Sequence, residues 1–245
     1  MTPAADSRTR PAAKRASRAK HAPATRQPAD PVIGGVPLSE LVKVNGASAG
    51  PRSKRAAIID TAVAHFGETG YEATKWSQVA DEVGIGQTAL YHYFESKAHC
   101  LLTIMRLELA RSHQRYLLAV ADASSPKEAV RAALTAAFAV SSAEVSQLRI
   151  LMANGDILSN PRQSAREEAE RLQCLALSHR IEASWTEMIG RRLAEVRGDD
   201  RDPKLVTLAV LGLINSLWRW FRTTGKLSIS QVATFYIDSG MRVVG

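Results

Sequence analysis

One short polar segment of this sequence carries the side chains best suited to chemistry. The apolar spacing predicts a helix over residues 87–94 that turns Leu90 and Phe94 inward. Its outward face presents four side chains that form hydrogen bonds: Gln87, Thr88, Tyr91 and His92. An α-helix fits the major groove of DNA, where glutamine binds adenine through two hydrogen bonds and the methyl groups of Thr88 and Ala89 contact thymine. We therefore expect this helix to read base edges, with Tyr91, His92 and Lys97 reaching phosphates.

Two predicted helices precede this segment and would position it. The first shows an apolar face at helical spacing, formed by Ile58, Ile59, Ala62, Val63 and Phe66, and Gly70 supplies the turn after it. The second is expected to begin at a Thr74 cap and to end at Gly84. Two short helices joined by a glycine-containing turn predict a helix-turn-helix.

The residues of this region resemble the DNA-binding domain of the tetracycline-repressor (TetR) family. The resemblance rests on ADEVGIGQTALYHYFESK over residues 80–97 and on FGETGYEAT over residues 66–74, although Gly86 stands where the family usually has Ser or Thr. It implies a transcriptional regulator, most often a repressor, that binds a pseudo-palindromic operator in double-stranded DNA as a homodimer. It also implies DNA contacts from Thr74, Lys75, Ser77, Gln87, Thr88, Ala89, Tyr91, His92 and Lys97.

The basic charge of the chain is concentrated at its beginning. Residues 1–55 hold 11 Lys and Arg against 3 Asp and Glu, whereas residues 56–245 hold 21 of each sign. Residues 1–50 are therefore expected to be a disordered, basic, Pro/Ala-rich tail, which either lies along DNA or only aids solubility. Residues 56–101 have two lysines against six acids, so phosphate affinity is expected from Arg52, Lys54 and Arg55 and from the tail.

The remaining sequence predicts an all-α protein with the helix-turn-helix at residues 51–100, and the resemblance implies that the helices of residues 101–245 form a ligand-binding and dimerisation domain. Helix starts are expected at Ser125-Pro126 with Glu128 completing a capping box, at Asp202-Pro203, and at Ser228 or Ser230. Thr224-Gly225 is expected to end the helix that begins at Pro203. The resemblance implies that this helix and a longer one over about 161–196, two from each subunit, form a four-helix dimer interface.

A ligand pocket is the second functional site expected from the sequence. The run over residues 211–225 is similar to a branch of the TetR family that senses fatty-acyl or steroid-derived coenzyme A thioesters, so a small apolar or amphipathic effector, with acyl-coenzyme A as one candidate, is expected. Candidate pocket residues are Met105, Leu109, Phe138, Met152, Trp218, Arg219 and Arg222. The first four serve equally well as core. For Arg219 and Arg222 we favour a dimer core from which the arginines reach solvent.

Several classes of protein are not expected. The sequence has no glycine-rich nucleotide loop, no G-x-S-x-G and no histidine pair at i, i+4, so we expect no enzyme, no metal and no cofactor. No apolar run is long enough for a membrane span, which favours a cytoplasmic, bacterial nucleoid-associated protein. A DNA-binding protein of nucleoid type without an inducer, and a helical enzyme or partner-binding module, are the alternatives.

Overall fold

The structure is a computed structural model, and it describes residues 54–245 and two short strands, apart from the side chains of residues 142 and 143. The strands, β1 (Val32–Ile33) and β2 (Val36–Pro37), pair antiparallel. Within residues 54–245 all regular structure is helical, which confirms the all-α prediction. The tail expected over residues 1–50 lies outside the described residues, apart from these strands, and remains a prediction.

Three helices form the N-terminal part of the described chain, hereafter the head. They are α1 (Lys54–Glu68), α2 (Trp76–Val83) and α3 (Gln87–Tyr93). Gly84 ends α2 with φ of 70°, a left-handed conformation that glycine adopts without steric cost. The N–H of Ile85 then donates to the carbonyl of Ala80 at 3.0 Å, which closes the turn into α3.

Six further helices and one 3₁₀ turn form the remainder of the described chain, hereafter the body. They are α4 (Lys97–Val120), α5 (Pro126–Phe138), α6 (Ser142–Ala153), the 3₁₀ turn Gly155–Leu158, α7 (Ala165–Ala194), α8 (Pro203–Trp220) and α9 (Ile229–Val244). The helix α4 runs without interruption across the expected boundary between head and body. The head and the body are therefore joined by one rigid element.

Local capping signals located most helix starts correctly. The Asp202 carboxylate accepts from the N–H of Lys204 ahead of the proline that opens α8, and Ser228 forms a complete capping box with Gln231 at α9. Ser125 caps α5 as predicted, but the carboxylate of Glu128 accepts from Ser124, so the expected reciprocal box is displaced by one residue.

The predicted end of α8 at Gly225 was wrong. The helix ends at Trp220, and Phe221 follows in an extended conformation with only 2% of its surface exposed. Burying a phenylalanine side chain contributes roughly 1.5–3 kcal/mol, more than the four additional helical residues would gain. Packing therefore decides where this helix stops.

Two apolar cores hold these helices together. One lies under the head and extends into α4, α6 and α7, where Leu101, Cys100 and Cys174 are fully buried; both cysteines are free thiols. The other fills the body, with Trp218 and Val210 of α8 at its centre. Because α4 contributes to both cores, its position depends on head and body together.

Candidate nucleic-acid interface and ligand cavity

The helix α3 presents a polar surface to solvent, as the sequence predicts. Leu90 is fully buried on its inner side, and Gly86 precedes it as an N-cap without a side-chain hydrogen bond. The exposed side chains are Gln87, Thr88, Tyr91 and His92, with Ala89 half-buried beside them. Tyr91 is 51% exposed, which is unusual for so large a side chain. This surface combines bidentate, hydroxyl and methyl groups on one helix, the set that reads base edges.

The ammonium group of Lys97 is occupied inside the protein. Its Nζ atom donates to the carbonyl oxygens of Tyr71, Glu72 and Thr74 at 2.7, 3.1 and 3.1 Å. The same atom lies 4.4 Å from the centre of the Tyr71 ring, a cation–π distance. An ammonium group has three N–H donors, so all three are used. Lys97 thus fastens the turn after α1 to the start of α4, a task that the sequence did not reveal.

Two other candidate cations of the head also make internal contacts. The guanidinium of Arg55 donates to the carbonyl of Tyr93 at 2.8 Å and lies 4.2 Å above the Phe94 ring, and burial lowers its pKa. Lys54 Nζ is 3.4 Å from the carbonyl of Val83 and remains exposed. Both contacts tie the start of α1 to the ends of α2 and α3. Arg52, the third expected cation, lies outside the described residues.

The residues before α2 divide into buried and exposed positions. Thr74 is only 3% exposed, and its hydroxyl donates to the carbonyl of Gly70 at 2.8 Å. It is not the N-cap of α2, because Lys75 occupies that position without a side-chain bond, so the expected Thr74 cap was wrong. Lys75 is exposed and Ser77 half-buried. Of these three residues, Lys75 is therefore the one with its charge in solvent.

A group of polar contacts fastens the start of α7 to the junction of head and body. Ser96 Oγ donates to Glu167 at 2.5 Å, and Ser164 donates to Glu95. One turn further along α7, Glu170 accepts from Thr103 at 3.2 Å and from Arg106 at 2.5 Å. The head is therefore linked to the body through α7 as well as through α4.

The body contains a largely apolar cavity of about 470 Å³. Most of its wall comes from α4, α6, α7 and α8. Its apolar lining includes Met105, Leu109, Leu151, Met152, Trp185, Leu211 and Trp218. Its polar lining is Ser112, Arg115, Ser178, Glu182 and Asn215. A concave, mainly apolar space with few polar groups is typical of a small-molecule site.

The charged side chains at this wall form ion pairs with other residues of the protein. Arg115 donates to the fully buried Glu108 at 3.0 Å and to Glu144 at 2.8 Å, and Arg111 lies 3.4 Å from Glu108. Burial raises the pKa of Glu108, while Arg115 opposes that rise. The sequence reading missed this group, although Glu108, Arg111 and Arg115 recur at i, i+3 and i+7 on one face of α4. These two acids and two arginines carry no net charge, and Glu182, the other charged residue of the lining, pairs with Lys204 at 3.1 Å.

The expected pocket residues are only partly brought together. Met105, Leu109, Met152 and Trp218 line the cavity. Phe138 is buried beside it against the Trp218 ring, 5.9 Å between centres, and does not line it. Arg219 and Arg222 are exposed and lie outside the lining, in keeping with the favoured interpretation in which they reach solvent.

Several large apolar side chains of α8 and α9 remain exposed. Leu205, Leu208 and Trp220 of α8 are 65%, 46% and 49% exposed, and Phe235 of α9 is 67% exposed. Exposed apolar side chains of this size are candidates for an interaction surface. The expected partner of α8 in a dimer interface was the long helix α7, but most of the exposed groups lie on α8 and α9.

The head and the body each match a known family of sequences. Residues 58–104 match bacterial regulatory proteins of the tetR family, and residues 123–244 match the tetracyclin repressor-like C-terminal domain. The chain belongs to the TetR family. TetR-family proteins are DNA-binding transcriptional regulators, and this chain is one of them.

Individual TetR proteins resemble this chain along most of its length. The HTH-type transcriptional repressor KstR2 of Mycobacterium tuberculosis is 28% identical over 189 residues, which cover 76% of this chain and 90% of that protein. KstR2 of Rhodococcus jostii is 25% identical over 195 residues, covering 78% and 91%. The solved structure of AibR with isovaleryl coenzyme A and operator DNA shares the fold, with a TM-score of 0.64 at 20% identity, covering 76% of this chain and 97% of that one.

No group of three His, Cys, Asp or Glu residues in the described part of the chain is arranged to hold a metal ion. None of the described helices is long and apolar enough to cross a membrane.

Proposed function

We propose that this TetR regulator is a homodimeric repressor whose α3 helices read a pseudo-palindromic operator and which a small apolar or amphipathic molecule releases. The observation that carries the proposal is the dual position of α4. Its N-terminal end holds the head through Lys97, and its middle lines the cavity through Met105, Leu109 and Arg115. One rigid helix therefore connects the two sites.

The DNA contacts follow from exposure on the head. In this proposal Gln87, Thr88 and Ala89 at the start of α3 meet base edges. Tyr91, His92, Lys75 and Ser77 meet phosphates, and Arg52, which lies outside the described residues, is kept as a further phosphate contact from the sequence. Thr74, Lys97, Arg55 and Lys54 instead make internal hydrogen bonds, so we assign them the task of positioning α3.

The proposed organisation follows the helices. Residues 1–50 form the basic tail, 51–100 the operator-reading head, and 101–245 the effector and dimerisation domain. A second copy covering the exposed apolar groups of α8 and α9 would place two α3 helices on one face of DNA, matching two half-sites. We assign the protein no catalytic activity and place it on the chromosome in the cytoplasm.

An apolar effector suits the cavity, because Glu108 and Glu144 already compensate Arg115. AibR, which shares this fold, has been solved with isovaleryl coenzyme A. An acyl-coenzyme A with its acyl chain in the cavity is accordingly the first effector to test.

Release would be a shift between two arrangements of the head. A ligand that occupies the cavity displaces α4 and strains the hydrogen bonds of Glu167 and Glu170 of α7 to Ser96 and Thr103. Only a ligand that binds the released arrangement more tightly can do this, and a tenfold preference corresponds to about 1.4 kcal/mol. The orientation of α3 then no longer fits both half-sites.

The deciding experiment selects genomic fragments with the purified protein and footprints the enriched site at two salt concentrations. We expect a protected pseudo-palindrome, and we expect Gln87→Ala to weaken binding to it by about 1–3 kcal/mol while leaving binding to unrelated DNA unchanged. Gln173→Ala, which removes the same amide group from an exposed position on α7, is the matched control. Diffuse, strongly salt-dependent protection would contradict operator reading and favour a general DNA-binding role.

A further inference from the structure

A second cavity lies beyond the first along the same helices. It has a volume of about 340 Å³ and is bounded by the end of α4, the start of α5 and the C-terminal part of α7. Ala129 of α5 borders this outer cavity, whereas Ala133 and Ala137 border the inner one. These alanines are spaced i, i+4 and i+8 and so lie on one face of α5. The two cavities thus follow one another along one groove.

On the opposite side of the groove, residues of α7 likewise border the inner cavity and then the outer one. Ile181 and Trp185 border the inner cavity, and Ser184 and Met188 border the outer one. The outer cavity reaches the protein surface at the turn between α4 and α5, where Ser124 is exposed. Its lining is mixed, with apolar Leu117, Val120 and Met188 beside polar Ser184, Glu187 and Arg191.

The side chain of Tyr116 borders both cavities. It is 7% exposed, and its hydroxyl donates to the carbonyl of Ser184 at 2.8 Å. Its ring centre lies 5.5 Å from that of Trp185 and 6.2 Å from that of His113, with which it stacks. A hydrogen bond and two aromatic neighbours hold this ring as a partition between the cavities.

We propose that Tyr116 determines effector size: its ring closes the inner cavity and stops apolar chains that would continue into the outer one. The inference rests on the proposed effector site and adds a specificity-determining residue to it. Removing the ring joins the cavities and adds about 340 Å³ to the space open to a ligand. The hydroxyl fixes the ring, while the ring itself forms the barrier.

The test measures binding of saturated primary alcohols with 4 to 16 carbons. These probes are neutral and apolar, in keeping with the compensated charges at Arg115. Binding to the full-length protein is followed by calorimetry and by displacement of an apolar fluorescent dye. For the unaltered protein we expect affinity to rise with chain length up to a limit and then to fall.

The variants separate the ring from the hydroxyl. Tyr116→Ala is expected to move the limit at least two carbons longer, whereas Tyr116→Phe keeps the original limit. Ala129→Phe, which fills the outer cavity, is expected to restore the original limit when combined with Tyr116→Ala. Tyr116→Leu gives the same readout if circular dichroism shows Tyr116→Ala to be unfolded.

An unchanged limit in folded Tyr116→Ala or Tyr116→Leu overturns the proposal. It is also overturned if neither the unaltered protein nor the variants bind any alcohol. Operator footprinting on the same samples is an independent readout, so protection of the operator in that case leaves the regulator function in place.

Discussion

Replacing Lys97 with methionine distinguishes a lysine that fastens the head from one that contacts DNA. Methionine keeps an unbranched apolar side chain while removing the charge and the three donated hydrogen bonds. Hydrogen bonds to charged groups contribute about 1.5–3 kcal/mol each when well placed. The shortest, 2.7 Å to the Tyr71 carbonyl, belongs to that class, and the two at 3.1 Å are weaker. Because Lys97 is half-exposed, we expect a total loss of about 2–3 kcal/mol in the free energy of unfolding.

The assay combines denaturant unfolding with operator binding at four or more salt concentrations. A phosphate contact lowers the slope of log K against log salt by about 0.9 for each lysine, or about 1.8 for a dimer. We expect Lys97→Met to lower stability and to weaken binding by a similar factor at every salt concentration, so that its line is parallel to that of the unaltered protein. Lys75→Met is the matched control, because Lys75 is exposed beside α2. It should flatten the slope and leave stability unchanged.

The opposite result is equally clear. If Lys97→Met flattens the slope by the full amount of a lost phosphate contact and unfolds at the same denaturant concentration as the unaltered protein, Lys97 contacts DNA. The three carbonyl contacts then do not stabilise the head, and the positioning role is wrong.

Three further predictions concern the tail, a glycine and a histidine. Deleting residues 1–50 should weaken DNA binding and flatten its salt dependence, and an unchanged slope in the truncated protein contradicts a DNA role for the tail. Gly240→Ala should lower the free energy of unfolding by about 1 kcal/mol in denaturant, because the new Cβ would lie 2.9 Å from the buried Leu134. Gly190→Ala is the control, because its Cβ would make ordinary 3.6 Å contacts and should raise stability. Equal effects of the two substitutions would refute the role of the close contact with Leu134. Burial lowers the pKa of His113, so the unfolded chain binds the proton more readily and stability should fall as pH drops below about 6.5. His113→Gln should reduce that pH dependence, and an unchanged profile shows that other groups cause it.

Patterns of short range account for what the sequence predicted correctly. The left-handed Gly84, the Asp202 cap and the Ser228 capping box depend on residues at most a few positions apart. The inward position of Leu90 and the outward position of Gln87 follow from the 3.6-residue period of one helix. The head and its reading surface could thus be predicted from local sequence and family resemblance.

The features that the sequence could not predict depend on contacts between distant residues. Lys97 meets the carbonyl of Tyr71 across 26 positions, and Arg55 meets that of Tyr93 across 38. A basic residue near a recognition helix gives the same signal whether its charge points to a phosphate or to a carbonyl. The end of α8 similarly depends on the burial of Phe221 rather than on the later Gly225. Such choices are made by tertiary packing.

The alkylation rates of the two cysteines beneath the head can report how often the core between head and body opens. Cys100 and Cys174 have no exposed surface, and burial raises the pKa of both thiols, that of Cys174 to about 12. Only a thiolate reacts readily with an alkylating reagent, so modification must wait until the core between α4 and α7 opens. The rate of alkylation therefore reports how often the core beneath the head opens, and the measurement needs no introduced label. Operator DNA should lower the alkylation rate of both thiols, and an effector that releases the head should raise it.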